Sequence, residues 1–270
     1  MSGVALDHVG VVTRDLTALA DQYQRLGFTL TPFARQTDGR IGNRCVMLQH
    51  SYLELLAVVD PNATSATLDR FLARYAGIHI LAFVFDDEQA VLTRLRHAGI
   101  DAPTVNRVER PIDDTDAMGP RARFTVIPLP EQPEGRINLV HHLTPEALWQ
   151  DRFLRHPNNA IALAEVTVVV KEPLDTAARF SRLVGCPVVP DAAGGFALDL
   201  PHGRVRMVTD PARSSVTPCI SGVAVHTNDQ NIAIGRLLVE QAIAHRRDNG
   251  ALLVDADEAG GVAVRFVPHI

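Results

Sequence analysis

The chain has 270 residues, 46% hydrophobic and 21% charged, which is enough apolar material for a large core and for two domains. A net charge of -5, mixed in sign, with only 5% aromatic residues disfavours nucleic acid and anionic membranes as partners and leaves a small-molecule substrate as the expected one. Cys45, Cys186 and Cys219 are too few and too widely spaced for a disulfide framework, and the start of the chain lacks a secretory signal pattern, so a cytoplasmic location is expected.

Residues 4–12 read as a strand, and Asp15-Leu16 opens a segment in which Leu16, Leu19, Tyr23 and Leu26 recur at helical spacing up to Gly27. Extended chain is expected over 28–33, a turn over 39–42 and strands over 44–49 and 51–59, which makes a βαβββ unit. After a short helix near 68–75 the order returns: strand 77–85, helix from Asp87 to Gly99, then strands near 101–108, 121–128 and 135–142. Thr144 and Pro145 predict a connector helix running to about Leu154, and His156-Pro157-Asn158-Asn159 stops it. A third copy follows, with strand 162–170, helix 174–184 and strands 187–189, 195–199 and 203–209. A fourth runs from Cys219, with a helix over 232–246 and a closing strand over 261–267. The chain therefore reads as an α+β protein of tandem βαβββ modules, with one domain over 1–158 and a second over 159–270.

Two histidines stand at matching places in the first two copies. His8 and His79 each open a strand and each precede an acidic helix-start residue, Asp15 or Asp86, by seven positions. Glu54 lies between them in the apolar strand Tyr52-Leu53-Glu54-Leu55-Leu56, where a lone carboxylate needs a cation or hydrogen bonds to compensate it. The three together suggest a shared metal site. The alternatives are two core histidines bonded to backbone carbonyls and a Glu54 paired with Arg40 or Arg44. Asn43 and Arg44 are candidates to hold an anionic substrate group, since Arg offers a fork matched to carboxylate. Cys45, beside Val46 and Leu48, reads as a small core residue.

Three segments carry a family resemblance: Leu6-Asp7-His8-Val9-Gly10-Val11-Val12, Tyr52-Leu53-Glu54-Leu55-Leu56-Ala57-Val58-Val59-Asp60-Pro61 and His141-His142-Leu143-Thr144-Pro145-Glu146. In these the chain resembles the glyoxalase-like branch of the vicinal oxygen chelate superfamily, well over the first 160 residues and weakly beyond. The resemblance implies two half-barrels of the glyoxalase, bleomycin-resistance and dihydroxybiphenyl-dioxygenase type. It also implies a divalent metal (Zn, Fe, Mn, Ni or Co) held by His8, Glu54 and His79. The fourth ligand is open, because Asn138 falls where a second carboxylate is usual and His142 lies one pleat further along the same face. Trp149, His156 and Asn158 resemble the branch's connector pattern and are candidates to close one side of the pocket, Trp149 and Asn158 as substrate-binding residues.

The chemistry so implied is lyase or isomerase chemistry by proton transfer on a substrate with adjacent oxygens, with Glu54 and His142 as candidate catalytic groups. A metal-free small-molecule binding protein of the drug-resistance type and a dioxygenase are the competing readings. In the second half Glu165, Arg206 and Gly222 replace the expected ligands, so that half is expected to hold no metal, and Glu165 and Arg206 are expected to pair. Both barrels can form within one chain, and a homodimer is left open.

Overall fold

A computed structural model describes residues 4–100, 103–210 and 217–269. Among them sixteen strands form one continuous sheet, built from four βαβββ units. The first unit is β1 (Ala5–Val12), α1 (Leu16–Arg25), β2 (Ala34–Arg35), β3 (Ile41–Met47) and β4 (Tyr52–Val58). Through the linking helix α2 (Ala66–Leu72) it passes to β5 (Gly77–Val84), α3 (Glu88–His97), β6 (Asn106–Pro111), β7 (Arg121–Pro128) and β8 (Arg136–His142). The strand expected near 101–108 begins instead at Asn106, and residues 101 and 102 lie outside the described residues.

A short α4 (Pro145–Leu148) follows. Trp149, with ψ 70, ends it well before the expected Leu154, and the chain continues as a 3-10 turn over Asp151–Phe153. The third unit is β9 (Ala160–Val169), α5 (Pro173–Val184), β10 (Val188–Pro190), β11 (Phe196–Asp199) and β12 (Arg204–Val208). The fourth is β13 (Cys219–Thr227), α6 (Ile232–Glu240), β14 (His245–Asp248), β15 (Ala251–Val254) and β16 (Ala263–Pro268). The expected helix to Arg246 is thus cut short, and its end is strand. Asn249 (φ 47) and Gly250 (φ 83) supply the two positive φ angles that a tight hairpin turn needs, so Asp248 and Ala251 pair across them.

In every unit the last strand lies parallel beside the first, as in β1 with β4 and β5 with β8. First strands then pair antiparallel, β1 with β5 and β9 with β13, and the bridge between Ile78 and Ile220 joins the two halves. The helices follow from local sequence. The Asp15 and Asp87 side chains accept from the backbone N–H of Ala18 and Ala90, satisfying donors that a helix start leaves free. Leu16, Leu19 and Tyr23 then bury one face of α1 in a core cluster shared by both halves, in which Phe28 stacks on Phe266 at 5.8 Å. Among the described residues no helix is long and apolar enough to cross a membrane.

Candidate functional site

The first two units enclose a cavity of about 400 Å³ lined by His8, Tyr52, Glu54, Arg110, Asn138 and Phe124, with Ile80, Val108, Val126 and Val140 as apolar wall. The strand register explains which residues reach it. Alternation sends His8, Gly10, Tyr52 and Glu54 to the cavity and Val9, Val11, Leu53 and Leu55 to the core. Gly10, opposite Glu54, also faces Ile80, and a Cβ there would stand 2.9 Å from that side chain. Only glycine allows the two first strands to approach so closely.

His8 is held from behind. A register shift between Leu6 and His8 makes Asp7 a bulge residue, so neighbours that ordinarily face opposite ways meet: Asp7 Oδ2 lies 2.6 Å from His8 Nδ1. The other oxygen of Asp7 lies 2.7 Å from His142 Nε2. Burial alone would raise the Asp7 pKa, but the two imidazoles more than offset this and hold it well below the usual carboxylate range. An ionised carboxylate only accepts, so both imidazoles donate to it. In the neutral ring this leaves His8 Nε2 as a lone pair directed at the cavity, 3.9 Å from Glu54 Oε2.

Glu54 is fixed in the same way. Asn43 Nδ2 donates to Oε1 at 2.5 Å, and the buried Arg110 guanidinium lies 4.0 Å from the same oxygen. The compensating cation for Glu54 is therefore Arg110, not Arg40 or Arg44. Arg40 pairs with Asp38 at the surface. Arg44 follows Asn43 in β3 and lies on the opposite pleat, so it is not an anion anchor of this cavity. Tyr52 stacks on His8 at 4.5 Å. Burial, with Asp7 and Glu54 beside it, pushes its pKa up, so it stays a neutral phenol. Burial likewise pushes the Cys45 thiol up to about 12, in keeping with a core residue.

His79 does not join this group. Its ring is fully buried between Phe71 (4.8 Å) and Tyr75 (4.0 Å), with Nε2 2.8 Å from the Tyr75 carbonyl. The reason is a slip of one residue. The cap of α3 is Asp87, not Asp86, and seven residues before Asp87 stands Ile80. Strand pairing agrees: His8 pairs with Ala82 and Gly10 with Ile80, which makes Ile80 the repeat counterpart of His8.

His142 turns to Asp7 and borders a second cleft with Asp7, His50, Trp149 and His202, rather than the cavity itself. Trp149 donates to the Leu48 carbonyl at 2.9 Å and packs edge-on against His142 and Tyr52, supporting both from outside. Asn158 is a brace. It donates to the Leu26 carbonyl and accepts from Ala160 N–H, far from any cavity lining. His156 accepts from Thr29 N–H through Nδ1 and donates through Nε2 to the Met47 carbonyl, another structural tie. Asp7 and Arg110 carry the site yet had not stood out in the sequence. The signal for Asp7 was a second lone acid in an apolar strand, whereas Arg110 sits in the polar strand β6 and has no local signature.

Among the described residues no cluster of three or more His, Cys, Asp and Glu side chains is spaced to hold a metal. The cavity-lining groups that could act as donors are His8 Nε2, Glu54 Oε2 and the Asn138 amide, whose Oδ1 is buried without a partner. Ile80 contributes nothing. Two strong donors and an amide fit a divalent cation shared with a bound molecule's oxygens, not one held by protein alone.

In the third and fourth units Arg206 is bonded to Asp191 at 3.1 Å, while Glu165 accepts from Thr167, so the expected Glu165–Arg206 pair does not form.

The profile of the glyoxalase-like domain family matches residues 6–184. Comparison with curated proteins found no significant match. Among solved structures, a hypothetical protein from Staphylococcus aureus is 12% identical and superposes with a TM-score of 0.70, over 98% of this chain and 100% of that one. A Mn(II)-bound glyoxalase from Novosphingobium aromaticivorans is 14% identical, with a TM-score of 0.63 over 99% and 83%. A mutant 4-hydroxymandelate synthase from Streptomyces coelicolor is 13% identical, with a TM-score of 0.63 over 99% and 93%. Identities this low establish likeness of fold alone, and the profile match over most of the chain establishes kinship. The chain belongs to the glyoxalase-like domain family of the vicinal oxygen chelate superfamily.

Proposed function

We propose that the first two units form the active site of an enzyme that moves a proton on a small anionic substrate with adjacent oxygens, in the manner of a lyase or isomerase. The observation that carries this reading is the 3.9 Å approach of His8 Nε2 to Glu54 Oε2 inside a cavity with one apolar wall, each group fixed by a partner behind it. Preorganised groups of this kind need no rearrangement to act. Arg110, buried and charged, anchors a carboxylate or enolate oxygen beside Glu54. Asn43 holds one oxygen of Glu54, so the other, whenever no cation engages it, takes a proton from a substrate carbon. The wall of Val108, Phe124, Val126 and Val140 lowers the local polarity on one side of these groups and strengthens their interactions.

The residues that would hold a divalent cation are His8, Glu54 and Asn138, and such an ion supplies Lewis-acid polarisation of a substrate oxygen. A Mn(II)-bound neighbour of the same fold supports this part of the reading. The test is exchange of solvent deuterium into a panel of 2-hydroxy and 1,2-dicarbonyl compounds, followed by NMR with and without added Mn2+. Exchange in the wild type, lost in Glu54→Gln and in His8→Ala with the fold retained, is the expected result. Ligand binding without exchange in any compound would leave a sequestering protein in its place.

A further inference from the structure

The strand register identifies corresponding positions in all four units. Gly10, Ala82, Thr167 and Ala224 lie beside Glu54, Asn138, Arg206 and Arg265 respectively, each on the parallel last strand. The antiparallel pairs agree, since His8–Ala82 and Gly10–Ile80 in one half match Gly222–Thr167 and Ala224–Glu165 in the other. The four cavity positions His8, Glu54, Ile80 and Asn138 therefore become Glu165, Arg206, Gly222 and Arg265. The second half places arginine at both last-strand positions, where the first half has the anionic Glu54 and the neutral Asn138.

A cavity remains there, of about 170 Å³, lined by Glu165, Thr167, Ser221, Gly222, Arg246 and Arg265 among others. Gly222 lines it without a side chain. It stands where the first half has Ile80, and a Cβ there would lie 2.5 Å from the Ala263 carbonyl oxygen. The charges lining the space are unequally matched. Arg246 pairs with Asp255 at 3.1 Å, and Arg206 has withdrawn to Asp191. Arg265 has only a 3.8 Å approach to Asp248, and its Nε is buried with no hydrogen-bond partner. Glu165, on the facing strand, uses one oxygen for the Thr167 hydroxyl at 3.1 Å.

We infer that this cavity is a second ligand site, for a short carboxylate that carries a hydrogen-bond donor on the neighbouring carbon, a small 2-hydroxy or 2-amino acid. The Arg265 guanidinium takes the carboxylate, because of the two arginines that line the cavity it has the looser ion pair, 3.8 Å to Asp248 against 3.1 Å from Arg246 to Asp255. The free oxygen of Glu165 takes the hydroxyl or ammonium group. The volume limits the ligand to a few heavy atoms.

The test is titration of the whole protein with glycolate, glycine and acetate at constant ionic strength, followed by amide NMR and calorimetry. Glycolate or glycine binds with a Kd of about 1 mM or tighter, acetate more weakly, and the perturbed amides are those of Ser221–Ala224 and Val264–Phe266. Arg265→Gln lowers affinity at least about tenfold, Arg265→Lys keeps part of it, and Glu165→Gln erases the preference over acetate. Absence of saturable binding, equal binding by a folded Arg265→Gln protein, or perturbations confined to the first-half cavity would overturn the inference. Because these readouts lie in the second half, failure here leaves the first-half proposal standing, and the reverse also holds.

Discussion

Asp7 Oδ2 and His8 Nδ1 lie 2.6 Å apart although the residues are consecutive in a strand, because the bulge at Asp7 brings together side chains that ordinarily face opposite ways. Replacing the carboxylate by an amide removes an anionic acceptor shared by two buried rings. Asp7→Asn is expected to lower Mn2+ or substrate affinity by about 10–100-fold, the usual effect of losing a partner behind a ligating histidine. Calorimetric titration measures the affinity, and 15N NMR of the imidazoles reports the changed His8 tautomer.

Placing an imidazole at the true repeat counterpart of His8 should complete the donor set. Ile80→His is expected to raise the affinity for Mn2+ or Zn2+ by roughly tenfold or more, about 1.4 kcal/mol per decade. His79→Gln should leave that affinity unchanged, since its ring is enclosed by Phe71 and Tyr75. A fall in metal affinity on changing His79 would contradict the register described above.

His79 governs acid stability instead. Burial lowers its pKa from 6.5 to about 4, so it stays neutral in the fold while the unfolded chain takes up a proton below pH 6.5. Its contribution is thus fully present above pH 6.5 and is lost as the pH falls toward 4. Urea denaturation between pH 7.5 and pH 4.5 should show a shallower acid decline in His79→Gln than in the wild type. His156, also lowered by burial, adds a parallel decline that this variant retains.

Asn158 ties the end of α1 to the start of β9 through two buried hydrogen bonds. Asn158→Ala leaves the Leu26 carbonyl and the Ala160 N–H without these partners, which costs about 1–3 kcal/mol for each group left unsatisfied. Thermal melting should register the loss, while deuterium exchange into substrate at low temperature stays at the wild-type rate. A selective loss of substrate affinity would instead return Asn158 to the pocket.

Repeat order and element types were legible because local rules carry them. Leu16, Leu19 and Tyr23 at helical spacing, and the alternation of β1 and β4, fix what each segment becomes whatever surrounds it. Glu54 was legible for a related reason, since a carboxylate in an apolar strand needs a buried partner, and His8 by its place in the repeat; Asn43, expected to hold a substrate group, instead donates to Glu54. The Asn249-Gly250 hairpin was also written in the sequence, but the helical spacing ahead of it masked the signal.

Register was not legible. Asp86 and Asp87 are adjacent acids, either of which can cap a helix, and a choice between them moves the inward position from His79 to Ile80 because side chains alternate with a period of two. Arg110 and Asp7 likewise became visible only in three dimensions, one brought to Glu54 from a distant strand and the other turned against His8 by a bulge. The sequence alone determined the modules and the two candidate donors, His8 and Glu54, that lie in a single unit. Which residues meet across units was decided by strand pairing, since a one-residue shift costs little locally but exchanges the two faces of a strand.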